Sequence, residues 1–96
     1  MFIVIAYDVN TLTKEGRGRL RKVAKLCEGV GQRVQYSVFE CEMTDTQLER
    51  LRQRIEKVVV PAEDNLRIYH IRGNREDCLE TFGRDGYVDY EDILIV

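Results

Sequence analysis

The sequence predicts a single α+β domain, in which two amphipathic helices cover one face of an antiparallel sheet. Residues 2–7 form a continuous run of apolar, mostly β-forming residues, which is typical of a central strand. Two later segments repeat apolar residues at helical spacing, and residues 33–42 alternate between two faces as one half-buried strand. A chain of 96 residues can bury one core of modest size.

The first helix is predicted over residues 14–28, where apolar residues recur every three or four positions. Cations spaced by four residues form one stripe of this helix: Arg17, Arg21 and Lys25. Gly16 and Gly18 weaken the first turn by about 1 kcal/mol each relative to alanine. That turn is therefore either mobile or in need of a close backbone approach.

The second helix begins with a capping box formed by Thr44 and Gln47 and is ended by Pro61. Residues 65–71 are predicted to form the third strand. Residues 77–82 are predicted to form a short fourth strand, before the glycines of the next turn.

The predicted order is strand, helix, strand, helix, strand, strand and a C-terminal strand, which we interpret as a ferredoxin-like β-α-β-β-α-β sandwich. Both helices then cover one sheet face, and the other face, with Val4, Ala6 and Phe39, is bare. A second copy is the simplest cover, so we expect a homodimer packed through its sheet faces. The domain would span residues 1–83, and the tail 84–96, which ends in ILIV, would dock on the partner subunit.

The charge of the chain is unevenly distributed, although its net value is only −2. Residues 1–60 carry 11 Lys and Arg against 8 Asp and Glu, whereas residues 61–96 carry 4 against 9. Residues 14–25 alone hold six cations and one anion. A basic face of this kind suits a phosphate backbone, so a nucleic-acid partner is compatible with the small net charge.

The three cysteines, Cys27, Cys41 and Cys78, are odd in number and widely spaced. This pattern fits neither a disulfide framework nor a zinc site, so we expect reduced thiols in a cytoplasmic protein. The apolar start lacks a basic n-region and is too short to cross a bilayer, so neither a signal peptide nor a membrane partner is expected.

Asp8 is the first candidate functional residue, because it ends the apolar strand on the face that carries Val4 and Ala6. One carboxylate is a poor magnesium site, but two Asp8 side chains converging across a two-fold axis could hold one ion with water. Alternatively, Asp8 starts an Asx turn or caps the first helix.

The nucleic-acid candidates are the cations Arg17, Arg19 and Arg33, whose alternative role is an ordinary solvated surface. Tyr7 could position a phosphate, Ser37 could bind one, and Phe39 could stack on a base. The alternative for Tyr7 and Phe39 is core and interface packing. No histidine or lysine base accompanies Ser37 in the sequence pattern, so we do not expect a nucleophilic serine.

Four blocks occur in an order and spacing that resemble the CRISPR-associated protein 2 family over nearly the whole chain: YDV at 7–9, RGRLRKVAKL at 17–26, RVQYSVFE at 33–40 and NLRIY at 65–69. The resemblance implies a ferredoxin-like homodimer that acts in spacer acquisition. It implies that this dimer bridges two dimers of the CRISPR integrase and holds the prespacer duplex through its backbone.

For some members, the resemblance also implies a magnesium-dependent endonuclease, with manganese as a possible substitute, that cuts single-stranded RNA or double-stranded DNA. The metal-binding aspartate of the family falls on Asp8, and its neighbouring tyrosine falls on Tyr7. The remaining family positions fall on Arg17, Arg19, Arg33, Ser37 and Phe39.

Three functions remain open at this point. The first is a metal-dependent nuclease with Asp8 at its centre. The second is a non-catalytic architectural subunit, for which the arginines matter and Asp8 does not. The third is a small-ligand regulatory domain on the same fold, which the unbalanced cations of the first helix disfavour.

Overall fold

The computed structural model describes residues 1–85 and residue 87. Its elements are β1 (Phe2–Asp8), α1 (Lys14–Glu28), β2 (Gly31–Gln35), β3 (Val38–Glu42), α2 (Asp45–Glu56), β4 (Asn65–Ile71) and α3 (Arg75–Cys78). The order β-α-β-β-α-β up to β4 is the order of ferredoxin-like domains. The four strands lie in the order β2-β3-β1-β4, and each pairing is antiparallel. The predicted α+β class is confirmed.

Strand β1 lies inside the sheet between β3 and β4. Its residues Ile3, Ile5 and Tyr7 are buried in the core with α1 and α2, whereas Val4 and Ala6 are half-buried on the opposite face. The predicted division of this strand into a covered and a more open face is therefore correct. Among the described residues, no helix is both long and apolar enough to cross a membrane.

The prediction of one continuous strand over residues 33–42 is wrong, because the chain reverses at Tyr36 and Ser37 to form the β2–β3 hairpin. The alternating pattern runs unbroken through this reversal, which contains none of the Gly, Asn, Asp or Pro residues that mark most turns. The register also shifts between Arg33 and Gln35, a β-bulge that the sequence does not reveal.

The hairpin also corrects the predicted position of Phe39. Phe39 pairs with Ile5 across the β1–β3 ladder, and residues directly opposite each other share a sheet face. Both side chains are fully buried in the core. Phe39 therefore lies under the helices and not on the bare face with Val4 and Ala6.

The predicted strand over residues 77–82 is also wrong. The chain forms the short helix α3 up to Cys78 and continues without regular structure. Glu76 and Asp77 lie in the first turn of α3, where negative charge is favoured by the helix dipole.

Arg75 fixes the segment after β4 against the sheet face opposite α1 and α2. Its Nε donates to Oε1 of the buried Glu40 at 2.8 Å, and its Nη2 lies 3.0 Å from both Asp85 carboxylate oxygens. The guanidinium also lies 3.8 Å from the ring centroid of Tyr87. Most of the tail 84–96, which we predicted to dock on a partner, lies outside the described residues, but Asp85 and Tyr87 contact Arg75 of their own chain.

Helix α1 has the predicted bounds, and Thr13 caps it by accepting a hydrogen bond from the Gly16 amide at 3.0 Å. The first turn packs so closely against the β1–α1 loop that a Cβ at Gly16 would overlap the Asn10 carbonyl oxygen. A Cβ at Gly18 would meet nothing nearer than Arg21 Nη2, 3.8 Å away. Of the two predicted reasons for a glycine in this turn, mobility and a close backbone approach, the close approach applies at Gly16.

We therefore expect Gly16→Ala to lower the free energy of unfolding by about 1–3 kcal/mol, because the loop must move to admit the methyl group. Gly18→Ala is the matched control and should raise the free energy of unfolding by up to about 1 kcal/mol, since alanine is the better helix former. Urea unfolding of both variants measures the difference. Equal effects of the two substitutions would contradict this packing.

Helix α2 begins at the predicted capping box. The Gln47 amide donates to Thr44 Oγ1 at 3.2 Å, and the Thr44 amide donates to Gln47 Oε1 at 2.9 Å. Leu48, Leu51 and Ile55 form the buried stripe of the helix, as their spacing predicts.

Candidate nucleic-acid interface and carboxylate site

Asp8 lies at the last position of β1, opposite Asn65 of β4, and its side chain is exposed. On its other side, the Tyr7 amide donates to the Ser37 carbonyl at 2.9 Å, so the β2–β3 hairpin tip lies at the same end of the sheet. The Asp8 carboxylate makes no hydrogen bond or ion pair with residues 1–85 or 87.

The structure assigns the turn and cap roles to other residues. Asn10 Oδ1 accepts from the Leu12 amide at 2.9 Å, which forms the Asx turn, and Thr13 is the N-cap of α1. Asp8 performs neither of these roles, although the sequence allowed both. Its carboxylate is therefore not needed by the local fold and is available to a ligand.

Tyr7 and Arg19 converge on Asp64, whose side chain is fully buried. The Tyr7 hydroxyl donates to Asp64 Oδ2 at 2.5 Å. Arg19 binds both carboxylate oxygens, with Nε 2.8 Å from Oδ2 and Nη2 2.9 Å from Oδ1. The Val60 amide completes the set at 3.1 Å from Oδ2, and Glu63 binds Arg19 from the surface at 3.3 Å.

This network displaces the pKa values of its members. Burial and the hydrogen bond to Asp64 together raise the pKa of the Tyr7 hydroxyl to about 12, against an opposing effect of Arg19. Burial alone would raise the pKa of the Asp64 carboxyl, but hydrogen bonds from Arg19, Tyr7 and Val60 outweigh it and lower that pKa below its ordinary value. Tyr7 therefore remains protonated at neutral pH, and Asp64 remains ionised.

Tyr7 and Arg19 were predicted as a catalytic residue and a nucleic-acid contact, but both are committed to Asp64. Tyr7 is buried, and the guanidinium of Arg19 joins α1 to the loop before β4. Their visible role is to hold the end of β1 against α1. Asp64 is not predictable from the sequence as a buried residue, because an aspartate in a short acidic loop has no local pattern that marks it as buried.

An open groove of about 490 Å³ runs between α1 and the β2–β3 hairpin. We call it the α1–hairpin groove, and its lining residues are Arg17, Leu20, Arg21, Ala24, Lys25, Glu28, Arg33 and Tyr36. Four of these eight residues are cations and one is an acid. The predicted stripe of α1 thus faces Arg33 across a shared concave surface, and the structure brings Arg17 and Arg33 together there.

Two of the groove cations are oriented by hydrogen bonds to backbone oxygens. Arg17 Nη1 donates to the carbonyls of Thr11 and Leu12 at 3.1 and 3.2 Å, in the loop that follows Asp8. Arg33 Nε donates to the Tyr36 carbonyl at 2.7 Å. Neither cation is ion-paired within the described part of the chain, so both keep their charge uncompensated.

The structure separates the remaining predicted site residues. Phe39 is fully buried, with the Arg33 guanidinium carbon 5.7 Å from its ring centroid, so its ring has no face open to a base. Packing in the core, the alternative for Phe39, is what the structure has. Ser37 is half-buried at the hairpin tip, where its carbonyl accepts from the Tyr7 amide, and its chain neighbour Tyr36 lines the groove.

The described part of one chain offers few ligands to a metal ion. Among residues 1–85 and 87, no group of three or more His, Cys, Asp or Glu side chains could hold one. Asn65, the cross-strand neighbour of Asp8, uses its Oδ1 to accept from Arg67 Nε at 3.1 Å. The carboxylate oxygens of Asp8 are chemically suited to Mg²⁺, but one carboxylate supplies too few ligands for this ion.

Comparison with known proteins places this geometry in a family. The family model described as "CRISPR associated protein Cas2" matches residues 1–77. The chain belongs to the Cas2 family. The resemblance of the YDV, RVQYSVFE and other blocks is thereby confirmed.

Curated Cas2 relatives match the whole length of the chain. The "CRISPR-associated endoribonuclease Cas2 1" of Moorella thermoacetica is 41% identical and covers 100% of both chains. The "CRISPR-associated endonuclease Cas2" of Halalkalibacterium halodurans is 44% identical and covers 99% of both. The crystal structure of Streptococcus pyogenes Cas2 at pH 6.5 aligns with a TM-score of 0.82 and 43% identity, covering 86% of this chain and 100% of that one.

Proposed function

We propose that this Cas2-family chain is a homodimeric, magnesium-dependent endonuclease. The observation that carries the proposal is Asp8, an exposed carboxylate at the end of a buried strand, with no partner among the described residues. Curated relatives named as endoribonucleases and an endonuclease support a nuclease activity.

The dimer is inferred from the number of oxygen ligands that Mg²⁺ needs. Because one carboxylate supplies too few ligands for Mg²⁺, we infer that the Asp8 side chains of two copies share one ion, with water as the further ligand. When bound, Mg²⁺ would neutralise phosphate charge and acidify a water nucleophile. The residues of the chain itself would hold the ion at Asp8 and hold the substrate at the α1–hairpin groove.

The position of Arg17 indicates where a bound substrate strand would lie relative to Asp8. This side chain lines the groove and also binds the loop that continues from Asp8, so a strand held in the groove passes the end of β1. Arg17 and Arg33 keep uncompensated charge, which attracts phosphates in a manner that salt weakens. RNA single strands and DNA duplexes are the two substrates that the family resemblance suggests.

The test of this function is cleavage of labelled RNA and of duplex DNA by the purified protein. We expect products with Mg²⁺ or Mn²⁺, none with a chelator, and recovery when the metal is added back. Chromatography combined with light scattering should give the mass of a dimer. Cleavage that persists in excess chelator would contradict a metal-dependent site.

A second function is favoured by the uncompensated cations Arg17 and Arg33, whose charge does not depend on Asp8. We propose that the chain is, in addition or instead, an architectural subunit that bridges dimers of the CRISPR integrase and holds the prespacer duplex. In a spacer-acquisition assay, this role predicts that Asp8→Asn retains acquisition and that the double variant Arg17→Ala, Arg33→Ala loses it. If Asp8→Asn loses spacer acquisition while it still binds nucleic acid normally, acquisition depends on the nuclease activity and the architectural role alone is contradicted.

A further inference from the structure

Tyr36 is an exposed aromatic residue at the edge of a cationic groove. Its side chain is at the β2–β3 hairpin tip, and 66% of the residue surface is exposed. The Arg33 guanidinium carbon lies 5.0 Å from the ring centroid, and Arg33 Nε binds the Tyr36 carbonyl. Arg33 therefore orients the ring from one side, and the exposure of the residue leaves the other side open.

The cations of the groove are arranged along a line. Arg17, Arg21 and Lys25 are four residues apart on α1, so their Cα atoms follow one another at about 6 Å along the helix axis. Successive phosphates of one nucleic-acid strand are separated by a similar distance. Three regularly spaced cations can therefore follow one backbone, while an aromatic ring opposite them receives a base.

Tyr36 distinguishes a single strand from a duplex. Only a strand with unpaired bases can turn a base onto the exposed ring. The bases of a duplex are stacked on each other and are not free to stack on Tyr36. A cationic groove with an exposed aromatic ring is the arrangement by which proteins bind single strands without reading their sequence.

We propose that the α1–hairpin groove binds single-stranded nucleic acid, with one base stacked on Tyr36 and the adjacent phosphates on Arg21 and Lys25. This inference rests on the proposed nucleic-acid function and specifies its substrate as a single strand at this groove. Acidic peptides would also meet the cations, but they would gain nothing from the open ring.

The test is the binding of a short fluorescent single strand and of the matched duplex, measured by anisotropy in a chelator so that no cleavage occurs. We expect Tyr36→Ala to weaken single-strand binding by about 5- to 100-fold, the usual loss for one stacking residue. Tyr36→Phe should bind as the unchanged protein does, because the ring remains. Duplex binding should change little in either variant.

Tyr69→Ala is the matched control, since Tyr69 is an exposed tyrosine on β4 and does not line the groove. The double variant Arg21→Ala, Lys25→Ala should weaken binding and reduce its dependence on salt. The inference is overturned if Tyr36→Ala binds the single strand unchanged, or if it loses single strand and duplex equally. Because binding is measured without metal, a failure of Mg²⁺-dependent cleavage would leave the Tyr36 result standing, and the two failures are distinguishable.

Discussion

Asp8→Asn should lower Mg²⁺-dependent cleavage by on the order of 10³-fold or more, because metal stabilisation of transition-state charge contributes several kcal/mol. The substitution keeps the size of the side chain and removes only the charge that holds the ion. The fold should not change, because the carboxylate makes no hydrogen bond or ion pair within the described part of the chain. Initial cleavage rates at saturating Mg²⁺ measure the loss.

Loss of cleavage in Asp8→Asn indicates loss of the metal only if the variant still binds nucleic acid with normal affinity. Anisotropy in a chelator should give the same Kd for Asp8→Asn and the unchanged protein, since the groove cations are untouched. Arg33→Gln should show the opposite pattern, with weaker binding and a normal cleavage rate at saturating substrate. Cleavage by Asp8→Asn at the normal rate would contradict the proposed site.

Asp64→Ala should lower the free energy of unfolding by about 3–5 kcal/mol, which is the usual cost of leaving one partner of a buried ion pair uncompensated. The substitution removes the acceptor for Tyr7, Arg19 and the Val60 amide together. Tyr7→Phe removes one of these hydrogen bonds and should cost about 1–2 kcal/mol. Urea unfolding at a fixed chain concentration measures both variants, because dimer formation would link stability to concentration.

Glu63→Ala is the matched control for Asp64. Glu63 also binds Arg19, but its side chain is 63% exposed, so its loss should cost less than about 1 kcal/mol. If Asp64→Ala is too unstable to purify, Asp64→Asn retains acceptor oxygen and should fall between the two. An Asp64→Ala protein as stable as Glu63→Ala would contradict the role of this network.

Stability should also depend on acid through Asp64. The folded pKa of its carboxyl is lower than the unfolded value of 3.8, so the folded state binds this proton less readily than the unfolded state. The contribution is therefore complete above the unfolded pKa and is lost as the pH falls through the folded pKa. Acid unfolding below pH 3.8 should show a steeper loss of stability in the unchanged protein than in Asp64→Asn.

The sequence predicted the helices well because their signals are local. The bounds of α1 and the Thr44–Gln47 box depend on apolar spacing and capping within a few residues, and both were correct. The β2–β3 hairpin was missed, because the turn at Tyr36–Ser37 is built from residues that also suit a strand. A turn of this kind is imposed by the pairing of β3 with β1, which no local pattern reveals.

The candidate site likewise has features that local patterns predict and features that long-range contacts determine. Exposure of Asp8 followed from the alternation of β1, and the stripe Arg17, Arg21, Lys25 followed from helical spacing. The burial of Phe39 depends on its pairing with Ile5 of β1. The engagement of Tyr7 depends on a carboxylate 57 residues away in the chain. Such long-range contacts come from tertiary packing, and a single sequence does not encode them in a readable pattern.

The number of Mn²⁺ ions bound per chain, counted by electron paramagnetic resonance, tests whether the Asp8 carboxylates of two chains hold one ion. We expect about one ion for every two chains and loss of that ion in Asp8→Asn, with the dimer intact. One ion bound by each chain, or binding unchanged in Asp8→Asn, would contradict it.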